Sequence, residues 1–250
     1  MSLLDTIILG IVQGLTEFIP VSSSGHLIVF REILGMDIAG ALAVDAVLQL
    51  ASGFAILAYF SKEFSTIRND TKLLKALAIG TLPAVVLGLL LEDVMSTAFR
   101  SVHLVSLTLI LGAILMWFAE LYSREDQSID SRRGFGVGLF QSLALVPGVS
   151  RSGATISGGL LLGLKRETAI RFSFLLALPI ILGSGMKKLI GLYQSGLLSS
   201  IGPSLLVGSV FSFIFSLLAI TFLIRYLKDH KLTPFIWYRI ILALIIFVFI

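Results

Sequence analysis

Long apolar runs alternate with polar clusters along the chain, and they predict an all-α integral membrane protein. A helix needs about 20 apolar residues to cross the hydrocarbon layer of a bilayer. The runs that reach or approach this length are 41–60, 73–91, 104–122, 168–188, 203–225 and 235–250. The last of them is short. We therefore expect six transmembrane helices.

Two further stretches, 3–34 and 135–164, have a different pattern. In each, a short apolar piece is followed by a break rich in proline and serine and then by a second short apolar piece. Pieces this short suit a re-entrant helical hairpin, which enters and leaves the membrane on one side, better than a full crossing. We therefore expect two re-entrant hairpins besides the six transmembrane helices.

The two hairpins are copies of each other. Residues 10–28 align without gaps to residues 138–156, at an offset of 128, with eight identities in nineteen positions. Three predicted crossings lie between the copies, so the second should enter from the opposite face. We expect one membrane domain, 1–250, built as an inverted-topology repeat of 1–122 and 123–250. Such repeats place a site near the bilayer midplane, where broken helices meet.

The basic residues predict the sidedness. If the first hairpin enters from outside, 13 of the 19 Lys and Arg residues fall in the inner loops 61–75, 123–133, 165–171 and 225–231. The outer segments carry four, namely Arg31, Arg100, Lys187 and Lys188. Cytoplasmic loops carry an excess of Lys and Arg. We therefore expect a multi-pass protein of the plasma (inner) membrane with both termini outside.

Composition supports the membrane assignment and excludes several functions. The chain is 56% hydrophobic and 14% charged, whereas soluble domains are about a quarter charged. Lys and Arg exceed Asp and Glu by 19 to 15, an excess that suits loops facing an anionic leaflet better than a nucleic-acid partner. With no cysteine, disulfides, thiolate metal sites and cysteine nucleophiles are excluded.

The first hairpin carries candidate acid–base groups. Gln13 and Glu17 are four residues apart and share a helix face, and His26 follows the break. The break also holds three serines that can cap the next helix, Ser22, Ser23 and Ser24. A capped helix start attracts anions. A carboxylate inside a membrane is costly and usually marks function, although Glu17 and the serines could instead be structural.

The second hairpin carries a cation. Arg151 occupies the position of Ser23 in the first copy and lies between Ser150 and Ser152, with Thr155 one turn later. An arginine at a helix start is suited to bidentate binding of phosphate oxygens. The alternative is a structural arginine bonded to backbone carbonyls.

The copies therefore differ in a complementary way. If they face each other, both helix starts should converge with Glu17, His26 and Arg151, an arrangement that favours phosphoryl chemistry, where positioning and charge neutralisation dominate. A lipid-phosphate transporter or flippase remains the alternative, since inverted repeats are transporter architecture. A second class of membrane phosphatase has a histidine six residues after the arginine of its Ser-Arg motif. In this chain the position six after Arg151 is Ser157, so the spacing excludes that class. Asp45 shares a helix face with Gln49 and is a weaker site candidate.

The segments QGLTEFIPVSSSGH (13–26) and PGVSRSGATISGG (147–159) resemble the two signature motifs of the undecaprenyl pyrophosphate phosphatase, or bacitracin-resistance, family. The resemblance implies a plasma-membrane enzyme, often dimeric, that hydrolyses the C55 polyprenyl diphosphate to its monophosphate and recycles the carrier for cell-wall polymers. It implies functional roles for Glu17, Ser22, Ser23, His26, Ser150, Arg151, Ser152 and Thr155. Many members have glutamate where this chain has Gln13, which puts a two-carboxylate site for Mg²⁺ or Ca²⁺ in question.

Our hypothesis has four catalytic residues: Glu17, Ser23, His26 and Arg151. Ser23 or His26 attacks the terminal phosphorus, with His26 or Glu17 as base, or activated water attacks directly. A divalent cation would bridge Glu17 and the diphosphate. The expected substrate-binding residues are Gln13, Ser22, Ser24, Ser150, Ser152 and Thr155. The expected partners are the lipid diphosphate, membrane lipids and a second copy of the chain.

Overall fold

A computed structural model describes residues 2–35, 41–91 and 101–249, and the regular elements within these ranges are helices. They are α1 (Leu3–Phe18), α2 (Ser23–Leu34), α3 (Ala41–Tyr59), α4 (Phe64–Asn69), α5 (Thr71–Leu90), α6 (Val102–Tyr122), α7 (Ser131–Leu143), α8 (Arg151–Leu161), α9 (Arg166–Gln194), α10 (Leu197–Asp229) and α11 (Thr233–Phe249). A 3₁₀ turn spans Ser61–Glu63. Arg100, one of the four outer charges, lies outside the described residues.

Five described helices, α3, α5, α6, α9 and α10, are long and apolar enough to cross a membrane. Within the described residues, the predictions of an all-helical fold and of several helices able to cross a membrane are therefore confirmed. The sixth predicted crossing corresponds to α11, which has 17 residues and is shorter than these five. Helices α9 and α10 are longer than the apolar runs that predicted them, because helix continues until Gly196, in a left-handed conformation at φ 74°, separates the two.

Both predicted hairpins are helix–break–helix units. Helices α1 and α2 flank a break at 19–22, and α7 and α8 flank a break at 144–150. Ser22 and Ser150 end these breaks at φ 76° and 73°, a region uncommon for residues with a side chain. The Ser22 hydroxyl accepts from the Gly25 amide at 3.3 Å, and the Ser150 hydroxyl from the Gly153 amide at 3.2 Å. The two breaks thus have the same capping geometry.

Each hairpin packs against a long helix of the other half of the chain. Helix α1 lies against α10, and α7 lies against α5. Gly10 meets the backbone of Gly208 in the first contact, and Gly138 meets the backbone of Gly80 in the second. Gly10 and Gly138 are 128 residues apart, as are Gly80 and Gly208. The repeat offset therefore extends from the hairpins to the helices that hold them.

Aromatic packing fixes the end of α1 beside the first break. Phe18 is buried, and its ring meets that of Phe174 on α9 edge to face, with centroids 5.2 Å apart. Edge-to-face aromatic pairs add stability beyond the area that they bury. The residue before Phe18 is Glu17, so this contact helps to hold the candidate carboxylate in place.

Replacing Gly138 with alanine should destabilise the protein, because a Cβ there would overlap the Gly80 carbonyl oxygen and only backbone movement could relieve it. Overpacking of this kind costs about 1–3 kcal/mol. A Cβ at Gly183, on α9, would meet no other atom within 4 Å, so Gly183→Ala should be neutral or stabilising by about 0.5–1 kcal/mol. Thermal unfolding in detergent measures both variants. Equal midpoints would contradict the close helix contact.

Candidate active site

The Glu17 carboxylate is the centre of a buried polar cluster. It lies in the last turn of α1, and its side chain is 1% exposed. Its Oε2 accepts from the Gln13 amide at 2.7 Å and from the Ser23 hydroxyl at 2.6 Å. Its Oε1 accepts from the Gln49 amide at 3.0 Å and pairs with the Arg151 guanidinium. We refer to these five residues as the Glu17 cluster.

The local sequence explains how the two hairpins meet here. Gln13 and Glu17 lie one helical turn apart on one face of α1. The break at Pro20 reverses the chain, so that Ser23, the first residue of α2, returns to the carboxylate. Arg151 is the first residue of α8, at the equivalent break of the second copy. The structure therefore brings Glu17 and Arg151 together, as the complementary divergence of the copies indicated, and Ser23 joins them instead of His26, the third side chain expected there.

The two breaks also contact each other directly. The Ser22 hydroxyl accepts a second hydrogen bond, at 3.1 Å, from the Gly148 amide of the other hairpin. Ser152 reaches the Ile19 carbonyl in the opposite direction, at 3.4 Å. The starts of α2 and α8 are thus joined, and both present helix amide groups near one carboxylate–arginine pair. Amide groups and positive dipole ends at helix starts favour bound anions.

His26 does not join the Glu17 cluster by any hydrogen bond within the described residues. Its Nδ1 lies 2.7 Å from the Ser22 carbonyl oxygen and its Nε2 lies 2.7 Å from the Tyr238 hydroxyl. Because a carbonyl can only accept, Nδ1 carries a proton, and Nε2 shares a hydrogen bond with the Tyr238 hydroxyl. In this arrangement His26 is not placed to take a proton from Ser23.

Several predicted substrate-binding residues are bonded within the protein. Thr155 is fully buried and its hydroxyl meets the Arg151 carbonyl and the Ser173 hydroxyl. Ser150 caps α8 and lies 3.2 Å from Ser152. These contacts position α8. Ser24 is exposed and lies 3.4 Å from Ser22, so it is the more accessible hydroxyl of this set.

The sequence predicts Asp45 on α3 as a weaker site candidate, with Gln49 on the same helix face. The structure gives the opposite result, because Gln49 donates to Glu17 while Asp45 pairs with Arg31. The four-residue spacing placed both residues on one helix face. It could not show which of them lies level with the end of α1.

The donors around Glu17 do not fit a divalent cation at that carboxylate. Mg²⁺ and Ca²⁺ take oxygen ligands, whereas both Glu17 oxygens face N–H or O–H donors, including the Arg151 guanidinium. Within the described residues, no group of three or more His, Cys, Asp or Glu side chains could hold a metal ion. The requirement for Mg²⁺ or Ca²⁺ stays a prediction.

The chain is similar in sequence to a known protein family and to several named proteins. The family model described as "Bacitracin resistance protein BacA" matches residues 6–245. The undecaprenyl-diphosphatase of Mycolicibacterium smegmatis is 42% identical, covering 98% of this chain and 96% of the relative. Those of Thermobifida fusca and Chloroherpeton thalassium are 39% and 40% identical, covering 98% and 97% of this chain and 89% and 95% of the relatives.

Proposed function

This chain belongs to the bacitracin resistance protein BacA family, and from that premise we propose that it hydrolyses undecaprenyl diphosphate to undecaprenyl phosphate and inorganic phosphate. The reaction would recycle the lipid carrier for cell-wall polymer synthesis and confer bacitracin resistance. The observation that carries the proposal is the contact of Glu17, Ser23 and Arg151 across two hairpins. These are the positions that the two sequence motifs supply.

Ser23 is the nucleophile in the mechanism that we infer. Its hydroxyl donates to Glu17 at 2.6 Å, so the carboxylate can accept the proton as the serine oxygen attacks the terminal phosphorus. The bond from that phosphorus to the bridging oxygen breaks, and undecaprenyl phosphate leaves. Water then hydrolyses the phosphoserine to inorganic phosphate, and the proton on Glu17 returns to the Ser23 oxygen.

Arg151 neutralises charge on the diphosphate. A guanidinium has five N–H donors in a fixed fork, and the Glu17 contact is made through a single nitrogen. The remaining donors can bind phosphate oxygens while the starts of α2 and α8 contribute backbone amides. Stabilising the charge of the transferring group is the main task of enzymes that move phosphoryl groups.

His26 has a supporting role in this mechanism. Both of its ring nitrogens are engaged, by the Ser22 carbonyl and the Tyr238 hydroxyl. The first of these bonds ties His26 to the residue that caps α2. We infer that His26 fixes the first break and so sets the direction of the Ser23 hydroxyl, rather than acting as nucleophile or base.

The architecture that we propose is the inverted repeat of 1–122 and 123–250, with six crossings, two re-entrant hairpins and both termini outside the plasma membrane. Its support is the offset of 128 residues, shared by the serine caps of the breaks and by the glycine contacts of α1 with α10 and of α7 with α5. The bias of basic residues towards one set of loops supports the sidedness. Dimerisation stays a prediction.

The transport alternative receives no support from the comparisons, which name phosphatases. The chemistry of the site also favours hydrolysis, because a serine bonded to a carboxylate supplies a nucleophile that transport does not need. A role in moving the lipid would use the same anion-binding groups and would leave the lipid diphosphate intact.

The proposed function is tested with purified protein in detergent. Undecaprenyl diphosphate is supplied, and inorganic phosphate and undecaprenyl phosphate are measured, with Mg²⁺, with Ca²⁺ and with a chelator. We expect the two products in equal amounts in at least one condition. A thermal unfolding transition shows that the protein is folded. If folded protein leaves the lipid diphosphate intact in every condition, hydrolysis is contradicted and transport becomes the better hypothesis.

A further inference from the structure

Arg239 on α11 is a fully buried cation whose described hydrogen bonds all go to backbone carbonyls. Its Nε donates to Leu109 on α6 at 3.1 Å. Its terminal nitrogens donate to Pro20 at 3.2 Å, to Gly148 at 2.8 Å and to Val149 at 3.0 Å. This is the carbonyl-bonded, structural arrangement that the sequence offered as the alternative for Arg151.

Three of the carbonyls that Arg239 binds belong to the two breaks, and the others belong to α6. Pro20 lies in the break between α1 and α2, and Gly148 and Val149 lie in the break between α7 and α8. Carbonyls in irregular backbone have no helix partner and must be satisfied inside the protein at membrane depth. One guanidinium does this for the two breaks together, because its donors are fixed in one plane.

The distance along the chain from these carbonyls to the site is short. Pro20 follows Glu17 by three residues, and Gly148 precedes Arg151 by three. A change in the separation of the breaks therefore changes the separation of Glu17 and Arg151. Arg239 itself makes no hydrogen bond to the Glu17 cluster within the described residues, so its influence on that cluster passes through the backbone.

Two neighbours indicate that the space is shaped for this guanidinium. Gly112 on α6 leaves room for it, because a Cβ there would overlap an Arg239 terminal nitrogen and lie 2.7 Å from the Val149 carbonyl oxygen. Tyr238, the residue before Arg239, places its hydroxyl 2.7 Å from His26 Nε2. Helix α11 thus holds both breaks through Arg239 and holds the first residues of α2 through Tyr238.

We propose that Arg239 is a positioning residue for the hydrolysis, which sets the separation of the two breaks and thereby the contact between Glu17 and Arg151. The role rests on the proposed function, since it concerns the geometry of that reaction. A buried charge without a carboxylate partner is costly to keep inside a membrane. Packing alone would be served as well by an apolar side chain of similar length.

The test is a double-mutant cycle on phosphate release. Arg239→Lys keeps the charge but replaces the fork with a single ammonium, which cannot hold both breaks in the same plane. We expect kcat to fall about 100-fold, as for a displacement of roughly 1 Å at a reacting centre, with KM close to wild type. The thermal midpoint should fall, because carbonyls that the guanidinium satisfied lose their donors. Arg225→Lys, at an exposed position on α10, is the matched control and should leave kcat unchanged.

The second half of the cycle repeats Arg239→Lys in an Arg151→Lys background. If Arg239 acts by placing Arg151 against Glu17, its substitution should lower kcat less than about tenfold once the Arg151 fork is gone, since the effects of coupled residues do not add. An equal fold loss in both backgrounds, or no loss in the first, would overturn the proposal.

Gly112→Ala provides a second variant in case Arg239→Lys does not fold. It keeps the arginine and displaces it, so it should give the same selective loss of kcat. A wild-type-like kcat in Gly112→Ala would overturn the proposal. Wild-type protein that releases no phosphate would overturn the proposed function itself, which distinguishes that failure from an active wild type whose kcat is insensitive to Arg239.

Discussion

Glu17→Gln should lower kcat for phosphate release about 1,000-fold, within the range of contributions made by general acid–base groups. The amide has the size of the carboxylate but cannot accept the Ser23 proton. It also leaves the Arg151 guanidinium, whose side chain is 14% exposed, without its anionic partner. Both losses act on the same step, so the fall should be in kcat more than in KM.

The matched control is Glu63→Gln. Glu63 is also paired with an arginine, Arg171, but both side chains are about 40% exposed and lie outside the cluster. Exposed ion pairs contribute little, so this variant should keep wild-type turnover. Thermal unfolding midpoints of both variants show whether the protein is folded. Turnover above a tenth of wild type in Glu17→Gln would remove Glu17 from the role of base.

Arg151→Ala should lower kcat/KM about 1,000-fold, the magnitude associated with an arginine that stabilises a transferring phosphoryl group. The substitution by alanine removes both the positive charge and the forked N–H donors of the guanidinium. Arg151→Lys restores the charge without the bidentate geometry and should recover part of the loss. Inorganic phosphate released from undecaprenyl diphosphate, measured over a range of lipid concentrations, separates the effects on kcat and KM.

Arg171→Ala is the control for the arginine series. Arg171 pairs with Glu63, lies 5.9 Å from the Phe60 ring centroid and, within the described residues, makes no hydrogen bond to the Glu17 cluster. Its loss should leave kcat/KM unchanged. If Arg151→Ala and Arg171→Ala have similar activity close to wild type, the assignment of Arg151 to the diphosphate is wrong.

The first-copy motif and its repeat were sufficient to predict much of the site. A carboxylate at 17 and an arginine at 151, at equivalent breaks of two copies, were expected to converge, and the structure places them in contact. The prediction worked because proline and serine mark the breaks, and because a break at a membrane depth must be buried in protein. The same reasoning gave the serine caps of α2 and α8.

The repeated motifs could not identify three further residues at the site: Gln49, Tyr238 and Arg239. Each reaches the breaks from a regular helix, and the chain distance from Arg239 to Pro20 is 219 residues. Helix periodicity gives the face on which a residue lies but not its depth relative to another helix. For Arg239 one signal was available, a charge within an apolar run, and its meaning depended on which backbone carbonyls came within reach.

The hydrophobic pattern also did not predict where the transmembrane helices end. Helix α9 runs to Gln194 and α10 begins at Leu197, although the apolar runs end at 188 and begin at 203. Polar residues can continue a helix beyond the hydrocarbon layer, since water there satisfies side chains and backbone alike. Hydrophobicity therefore predicted which segments are helical and left the positions of their ends undetermined.

The most direct test of the account is the initial rate of phosphate release from undecaprenyl diphosphate by Ser23→Ala, beside wild type and Ser184→Ala at equal concentrations of folded protein. Ser184, on α9, bonds its own helix at Ile180, so its substitution should have no effect. We expect Ser23→Ala to bind the lipid diphosphate and to release no phosphate above background, because Glu17 and Arg151 remain while the attacking hydroxyl is gone. Release near the wild-type rate would contradict the account and make water the nucleophile.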